Sequence, residues 1–412
     1  MKADEIKVEA KPYLLKNKIQ HYDWGAKGEE AIIPKLLGIE PESGLPYAEL
    51  WIGAHPKASS AVEINGLEIP LSDLIETNPD AILGASGKKK FGNKLPFLLK
   101  VLSASEALSI QAHPDKSSAA ELHKKDPKNY PDDNHKPEIA IALDSLTALV
   151  GFKPLDQFLA AMKNSRPIAE FIGNTLAQEA ENRYNSNKDE QGKIIRILYE
   201  AIIKNSVSQP KEMAEAIRKI KEDLLHKEKD LLPEEKMFLE LEKQYGSDVG
   251  LFSLFLFNLV HLNKGEGIFL KAGVPHAYLK GNIIECMANS DNVVRVGLTP
   301  KFKDTDSLLK ILSYDISQVE KLNGSEDAEV KYPVPIDEFE IARLQLSEGV
   351  VKQVNNHSVC VILVIDGEIA IDYAGGSARY GKGRTILIPS ILSGYNIRAN
   401  LNSLLFRVCI PS

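Results

Sequence analysis

Apolar residues along the chain change period twice, and each change marks a change of element. Up to about residue 154 they alternate in short runs, as half-buried strands do. From Leu155 to about Gln244 they recur every three or four positions, and after residue 264 the strand pattern returns. Residues 11–66 read as short strands, with Tyr22–Gly25 breaking the first run and Ala48–Ala54 forming a second. A helical excursion over 70–94 with Ser72 as N-cap follows, and Gly84–Gly92 closes it. The central block places Ile194, Ile197, Leu198, Ala201 and Ile202 on one helical face, and Met213, Ala216, Ile217, Ile220 and Leu224 on another. Pro233 before two glutamates starts a helix, and Gly246 stops one. The apolar run Val249–Leu262 is too short to span a bilayer and predicts a buried helix. Residues 300–330 read as a polar linker, and 340–412 as a last set of strands.

The strands conflict with their own pattern at a few positions, and there the chemistry gathers. A strand over residues 107–113 puts Leu108, Ile110 and Ala112 on one face and Ser109, Gln111 and His113 on the other. Glu138 opens a second apolar run, Ile139, Ile141 and Leu143; His276 follows a strand and a glycine turn in Gly267–Tyr278. Amide oxygen, imidazole and carboxylate together suit zinc or another divalent transition metal. The plainer alternative for Gln111 and His113 alone is a pair that satisfies its own hydrogen bonds. Glu285, Asp291 and Arg295 interrupt another apolar run, as a structural ion pair or as pocket groups. The long polar excursion Pro114–Pro137 leads to His135 and Lys136 beside Glu138. Trp24 and Trp51 read as core aromatics, and Lys88–Lys90 as solvated surface.

Gly383–Tyr395 echoes Gly267–Tyr278 but offers only Ser and Gly where the first copy has His276. Two related β-barrel modules follow, one able to hold metal. The expected division is 1–154 for the first part of the metal-holding barrel, 155–250 for a helical insertion, 251–320 for the rest of that barrel, and 321–412 for a metal-free barrel.

Composition narrows the function. A chain of 412 residues with 43% hydrophobic and 26% charged residues is globular and long enough for two or three domains. A net charge of −7 excludes a general nucleic-acid binder but permits a local basic pocket for a phosphorylated metabolite. The charged N-terminus has no secretory core, and Cys286, Cys360 and Cys409 read as reduced core thiols. A cytoplasmic protein without membrane or nucleic-acid partners is expected.

Strand-borne ligands followed by a Gly-rich turn with Pro-His resemble the cupin jelly roll, although Gln111 replaces a histidine and Glu138 follows a long insertion. Those departures, with Ser109–Lys116, Asn134–Glu138, Gly273–Tyr278 and Ile284–Arg295, resemble the type I mannose-6-phosphate isomerase family over nearly the whole chain. The resemblance implies a mainly β fold with an α insertion, the metal-binding catalytic barrel and the metal-free C-terminal barrel both being jelly rolls. It implies one zinc per chain on Gln111, His113, Glu138 and His276, with Arg295 as the active-site arginine. Lys100, Ser109, His135, Lys136, Tyr278, Glu285, Asp291 and Lys301 match positions lining that family's pocket. A monomer acting on mannose 6-phosphate is implied, with Glu285 first among proton carriers, Asp291 and a lysine competing, and Lys100 or Lys136 for the phosphate. The rivals are a non-catalytic sugar-phosphate binder and an iron cupin oxygenase, to which Gln111 is poorly suited.

Overall fold

A computed structural model describes residues 7–227, 231–316, 319–325 and 327–411; the first six residues of the charged N-terminus and Glu326 of the expected linker lie outside the described residues. Two large antiparallel sheets carry the molecule. In the ten-stranded sheet the central path runs Gly267–Leu270, Glu138–Phe152, His276–Ala288, Phe97–Ala104, Glu49–Gly53. Phe257–Asn263 pairs with Glu138–Phe152, while Ile110–Ala112 and Val294–Gly297 pair beside His276. The eight-stranded sheet joins five C-terminal strands, Glu329–Tyr332, Glu340–Leu346, Ser403–Cys409, Cys360–Asp366 and Thr385–Ile388, to three N-terminal ones, Tyr13–Lys16, Ala61–Ile64 and Leu67–Pro70, all antiparallel. A four-stranded sheet covers its far side.

The two large sheets pack face to face. Phe97, Leu99, Val101, Ile139, Ile141, Ile284 and Cys286 point one way, into a core shared with Tyr13, Val361, Leu363, Leu387, Phe406 and Val408. The period of two therefore frees Leu98, Lys100 and Leu102 for the opposite face, where the site lies. Phe97–Ala104 is buried along its whole length because both of its faces are covered. The helices of 155–256 form a third layer: Phe158, Leu198, Ile202, Phe252 and Leu254 pack on Ile110, Ala112, Ala277 and Val294. Mainly β structure with a helical insertion is the observed class.

Several local expectations are corrected. Val249–Leu262 is half helix, Gly250–Leu256, and half strand, Phe257–Asn263. Apolar runs of this length do not distinguish the two by period, and the ladder offered by Glu138–Phe152 decides. Asn258 Nδ2 donates there to the carbonyls of Val150 and Phe152, 3.0 and 2.9 Å away. Residues 70–94 hold two helices, Leu71–Thr77 and Pro79–Phe91, with Pro70 rather than Ser72 at the first N-cap. The excursion 114–137 contains a helix, Lys116–Lys125, whose N-cap Asp115 accepts from the Ser118 amide at 2.7 Å. Residues 300–330 contain the helix Thr305–Ile311, capped by Asp304. Cys360 and Cys409 face each other on paired strands and are disulfide-bonded, so Cys286 alone reads as a free buried thiol. Isolated apolar contexts carry no information on which strands become neighbours. Among the described residues no helix is long and apolar enough to cross a membrane.

Candidate active site and metal centre

Register places the site. Trp51 pairs with Lys100, Lys100 with Glu285, and Glu285 with Ala140, so a single row of side chains crosses four strands on the inner face. Two residues along on that face stand Glu49 and Glu138. His276 begins the same strand as Glu285, opposite Gln111, which is in turn the cross-strand partner of Arg295. The turn that delivers His276 needs Gly273: its φ is 77°, and a Cβ there would lie 2.5 Å from the Ile311 carbonyl oxygen.

His113, Glu138 and His276 converge, all buried, with one ligand atom from each within 4.8 Å of the others. His276 Nε2 lies 2.9 Å from Glu138 Oε1 and His113 Nε2 lies 3.4 Å from Glu138 Oε2. Both Nε2 atoms and Glu138 Oε2 are buried without a hydrogen-bond partner among the described residues. Such orphaned polar atoms are expensive in an apolar interior and fit a cation between them. Each imidazole is oriented through its other nitrogen: His113 Nδ1 donates to the Asn292 carbonyl at 2.8 Å and His276 Nδ1 to the Val274 carbonyl at 2.9 Å. That tautomer aims the Nε2 lone pairs inward, as metal-bound histidines require. Burial, then Lys136, lowers His113 to about 4, which keeps the ring neutral. Burial opposes the Glu138 charge, but Lys136, 3.5 Å away, holds it well below the usual carboxylate range. The donor set fits zinc. Tyr278 donates its hydroxyl to Glu138 at 3.3 Å.

Beside the trio is a chain of buried charge. Lys100 Nζ is 2.9 Å from Glu285 and 3.5 Å from Glu49, and lies over the Trp51 ring at 5.4 Å. Burial works against the ammonium, yet Glu285 and Glu49 together hold it above its ordinary value. Burial pushes Glu285 up, against the pull of Lys100. Asp291 is different: burial opposes its charge, but His55 at 3.4 Å and Lys57 at 2.8 Å hold it well below the usual range.

The remaining expected residues fall in three places. Ser109 is half-buried just before Ile110–Ala112, and Arg295 is half-buried on the neighbouring strand, its charge disfavoured by burial. Lys301 is exposed in the loop after that strand. His135 turns its ring to Glu338, Nε2 to Oε1 2.6 Å, linking the excursion to the C-terminal segment. Sequence reasoning passed over Glu49, although an acid inside the buried strand Glu49–Gly53 is the signal that exposed Glu285. Trp51 is buried, as expected of a core aromatic, and its indole also donates to Glu49 from within the charged row. Asp132 and Asn292, which fix the carbonyl under His113, carried no signal, being polar residues in polar loops.

Residues 13–155 match the model of the phosphomannose isomerase type I catalytic domain. Mannose-6-phosphate isomerase 2 of Arabidopsis thaliana is 38% identical over 391 residues, covering 90% of this chain and 87% of its own. Mannose-6-phosphate isomerase of Schizosaccharomyces pombe is 38% identical over 377 residues, 86% and 89% of the two chains. A crystal structure of zinc-bound mannose 6-phosphate isomerase superposes with a TM-score of 0.84 at 30% identity, over 97% of this chain and 100% of the other. An arginine-to-alanine mutant of phosphomannose isomerase from Salmonella typhimurium superposes with a TM-score of 0.84 at 31% identity, over 97% and 99%. With relatives of this identity spanning most of both chains and a matching catalytic-domain model, the chain belongs to the type I phosphomannose isomerase family.

Proposed function

We propose that the protein interconverts mannose 6-phosphate and fructose 6-phosphate through an enediol, with one zinc per chain on Gln111, His113, Glu138 and His276, linking hexose phosphates to GDP-mannose supply in the cytoplasm. The observation that carries the proposal is the pairing of the orphaned Nε2 atoms of His113 and His276 with the raised carboxyl of Glu285 in one buried site. Zinc there would supply Lewis-acid polarisation of the sugar carbonyl.

The reaction asks the chain's own residues for three things. A base must take the C2 proton of the open-chain aldose; the C–H electron pair becomes the C1–C2 double bond, and O1 takes a proton. Returning the carried proton to C1 while O2 loses its own leaves the ketone. Glu285 suits the carrier because its carboxyl is raised toward working pH, where a base transfers protons best. Asp291, locked between His55 and Lys57 and depressed, suits it less. Lys136, beside Glu138, is the remaining competitor. Developing negative charge on oxygen calls for a fixed cation, the role we assign to Arg295.

The phosphate calls for cations not already committed. Lys100 and Lys136 are buried against carboxylates, whereas Arg295 and Lys301 form no ion pair among the described residues. We therefore assign the phosphate to the side of Lys301, and give Lys100 the task of setting the charge of Glu285. The test is conversion of mannose 6-phosphate by purified protein before and after chelation. Loss of turnover, restored by zinc at about one equivalent, is expected; full turnover in metal-free protein would remove zinc from the mechanism.

A further inference from the structure

A second charged cavity lies away from the metal, at the junction of the two large sheets. Its volume is about 610 Å³, within the usual span for small-molecule sites of roughly 300–1,000 Å³. The helix Ile32–Leu37, the turn at Lys264–Gly265, the strand Glu340–Leu346 and the turn at Lys382 all contribute to it. Leu36, Leu143 and Phe406 give it apolar wall.

Its polar lining is one-sided. Lys35, Lys264, Arg343 and Lys382 face the cavity, with Asp366 as the acid among its lining residues, 3.7 Å from Lys382. In a chain of net charge −7 such a concentration of positive charge is not what average composition would place there. Neither Lys35 nor Lys264 has an ion pair among the described residues.

Arg343 is the decisive group. It is only 8% exposed. One Nη donates to the Ser325 carbonyl, but Nε is buried without a partner among the described residues. The other Nη lies against Gly265, where a Cβ would come within 2.5 Å of it, at a φ of 82°. The backbone has made room for a guanidinium whose Nε has no acceptor among the described residues, and a buried cationic donor left unpaired is costly. A planar guanidinium flanked by lysines is the arrangement that recognises phosphate.

We propose that this junction is a second binding site, separate from the metal centre, for a small phosphate-bearing anion. A ligand there bridges the Gly265 turn, whose amide donates to Ala142 of the Glu138 strand at 2.8 Å, and the C-terminal strand that carries Arg343. It therefore ties the two sheets together.

The test uses the full-length, zinc-loaded protein with inorganic phosphate as probe, followed by hydrogen–deuterium exchange. Slowed exchange at residues 264–267, 343–347 and 382–384 is expected, in peptides distinct from those of the metal centre. Arg343→Met should weaken phosphate binding at these peptides about tenfold or more, the effect of losing one charge-assisted contact. Because Arg343 is buried and its loss can impair folding, the exposed pair Lys264→Glu with Lys382→Glu is the second variant. It should abolish the protection while leaving zinc content and isomerisation as in the unchanged protein. Absence of protection in the unchanged protein, or protection that survives in the double variant, would overturn the proposal.

Discussion

Glu285 shows how far a single residue's surroundings can set its chemistry. Its carboxyl is buried, raised by that burial, and restrained by Lys100 at 2.9 Å. A base must be ionised to accept a proton, so activity rises with pH through its titration. The acid limb of kcat/KM should accordingly lie above the ordinary 4.5 of a glutamate. Glu285→Gln should lower kcat by about 10²–10⁴-fold, as loss of general base catalysis does, with zinc content retained. Near-normal turnover in that variant would pass the role to Lys136. Lys301→Ala makes a contrasting prediction. With the exposed cation gone, KM for the phosphorylated sugar should rise about tenfold, as loss of one charge-assisted contact implies, with kcat little changed. An unmoved KM would take Lys301 out of the phosphate site. The same variant leaves the acid limb in place, because Lys301 is not part of the Glu49–Lys100–Glu285 chain.

At the scale of elements, the metal centre depends on a loop-to-loop clasp as much as on its strands. Asn292 Nδ2 donates to the Asp132 carbonyl and to the Asn134 carbonyl at 2.7 and 2.9 Å, while Asp132 Oδ2 accepts from the Asp291 amide at 2.8 Å. Ser290 adds a bond of 2.7 Å to Asp132 Oδ1. The clasp holds the Asn292 carbonyl that orients His113. Asp132→Ala should weaken metal binding about 10–100-fold, the usual cost of losing an outer partner of a metal ligand, and zinc competition with a chromophoric chelator measures it. Unchanged affinity would show that the strands alone orient His113. This clasp was not legible in the sequence, since its residues are polar groups in polar loops and only the fold brings residues 132 and 292 together. The strands were legible where burial conflicts with charge: Glu138 and Glu285 stand out against Ile139, Ile141, Ile283 and Ile284. The helical block was legible from its apolar periodicity: Met213, Ala216, Ile217, Ile220 and Leu224 are buried as expected, whereas the earlier helix buries Ile194, Ile195, Leu198, Tyr199, Ile202 and Ile203 and leaves the expected Ile197 exposed. Val249–Leu262 was not, because a fully buried segment has no polar face to reveal its period.

For the whole molecule, the organising contact is the face shared by the two large sheets, and the chain reaches it from both ends. Tyr13–Lys16 joins Thr385–Ile388, and Phe406 and Val408 enter the same core. Sequence could show that 340–412 was a set of strands, but not that three N-terminal strands would extend their sheet, since pairing across some 370 residues leaves no local trace. The disulfide was hidden for the same reason. Cys360 and Cys409, 49 residues apart, are register partners on neighbouring strands, while the opposite faces of those strands carry the inter-sheet core through Val361, Leu363 and Phe406. Closing a loop of that length restricts the unfolded chain, which on the chain-entropy account is worth about 2–4 kcal/mol. The bond lies in the C-terminal barrel, on strands that contribute none of His113, Glu138 and His276. Cys409→Ser should therefore lower the urea midpoint of unfolding by an amount corresponding to about 2–4 kcal/mol while the bond is kept oxidised, and by much less once the unchanged protein is reduced, with kcat and zinc content retained. If instead zinc affinity fell together with stability, the inter-sheet core would be transmitting strain to the metal strands, and the two sheets could no longer be treated as separable in function.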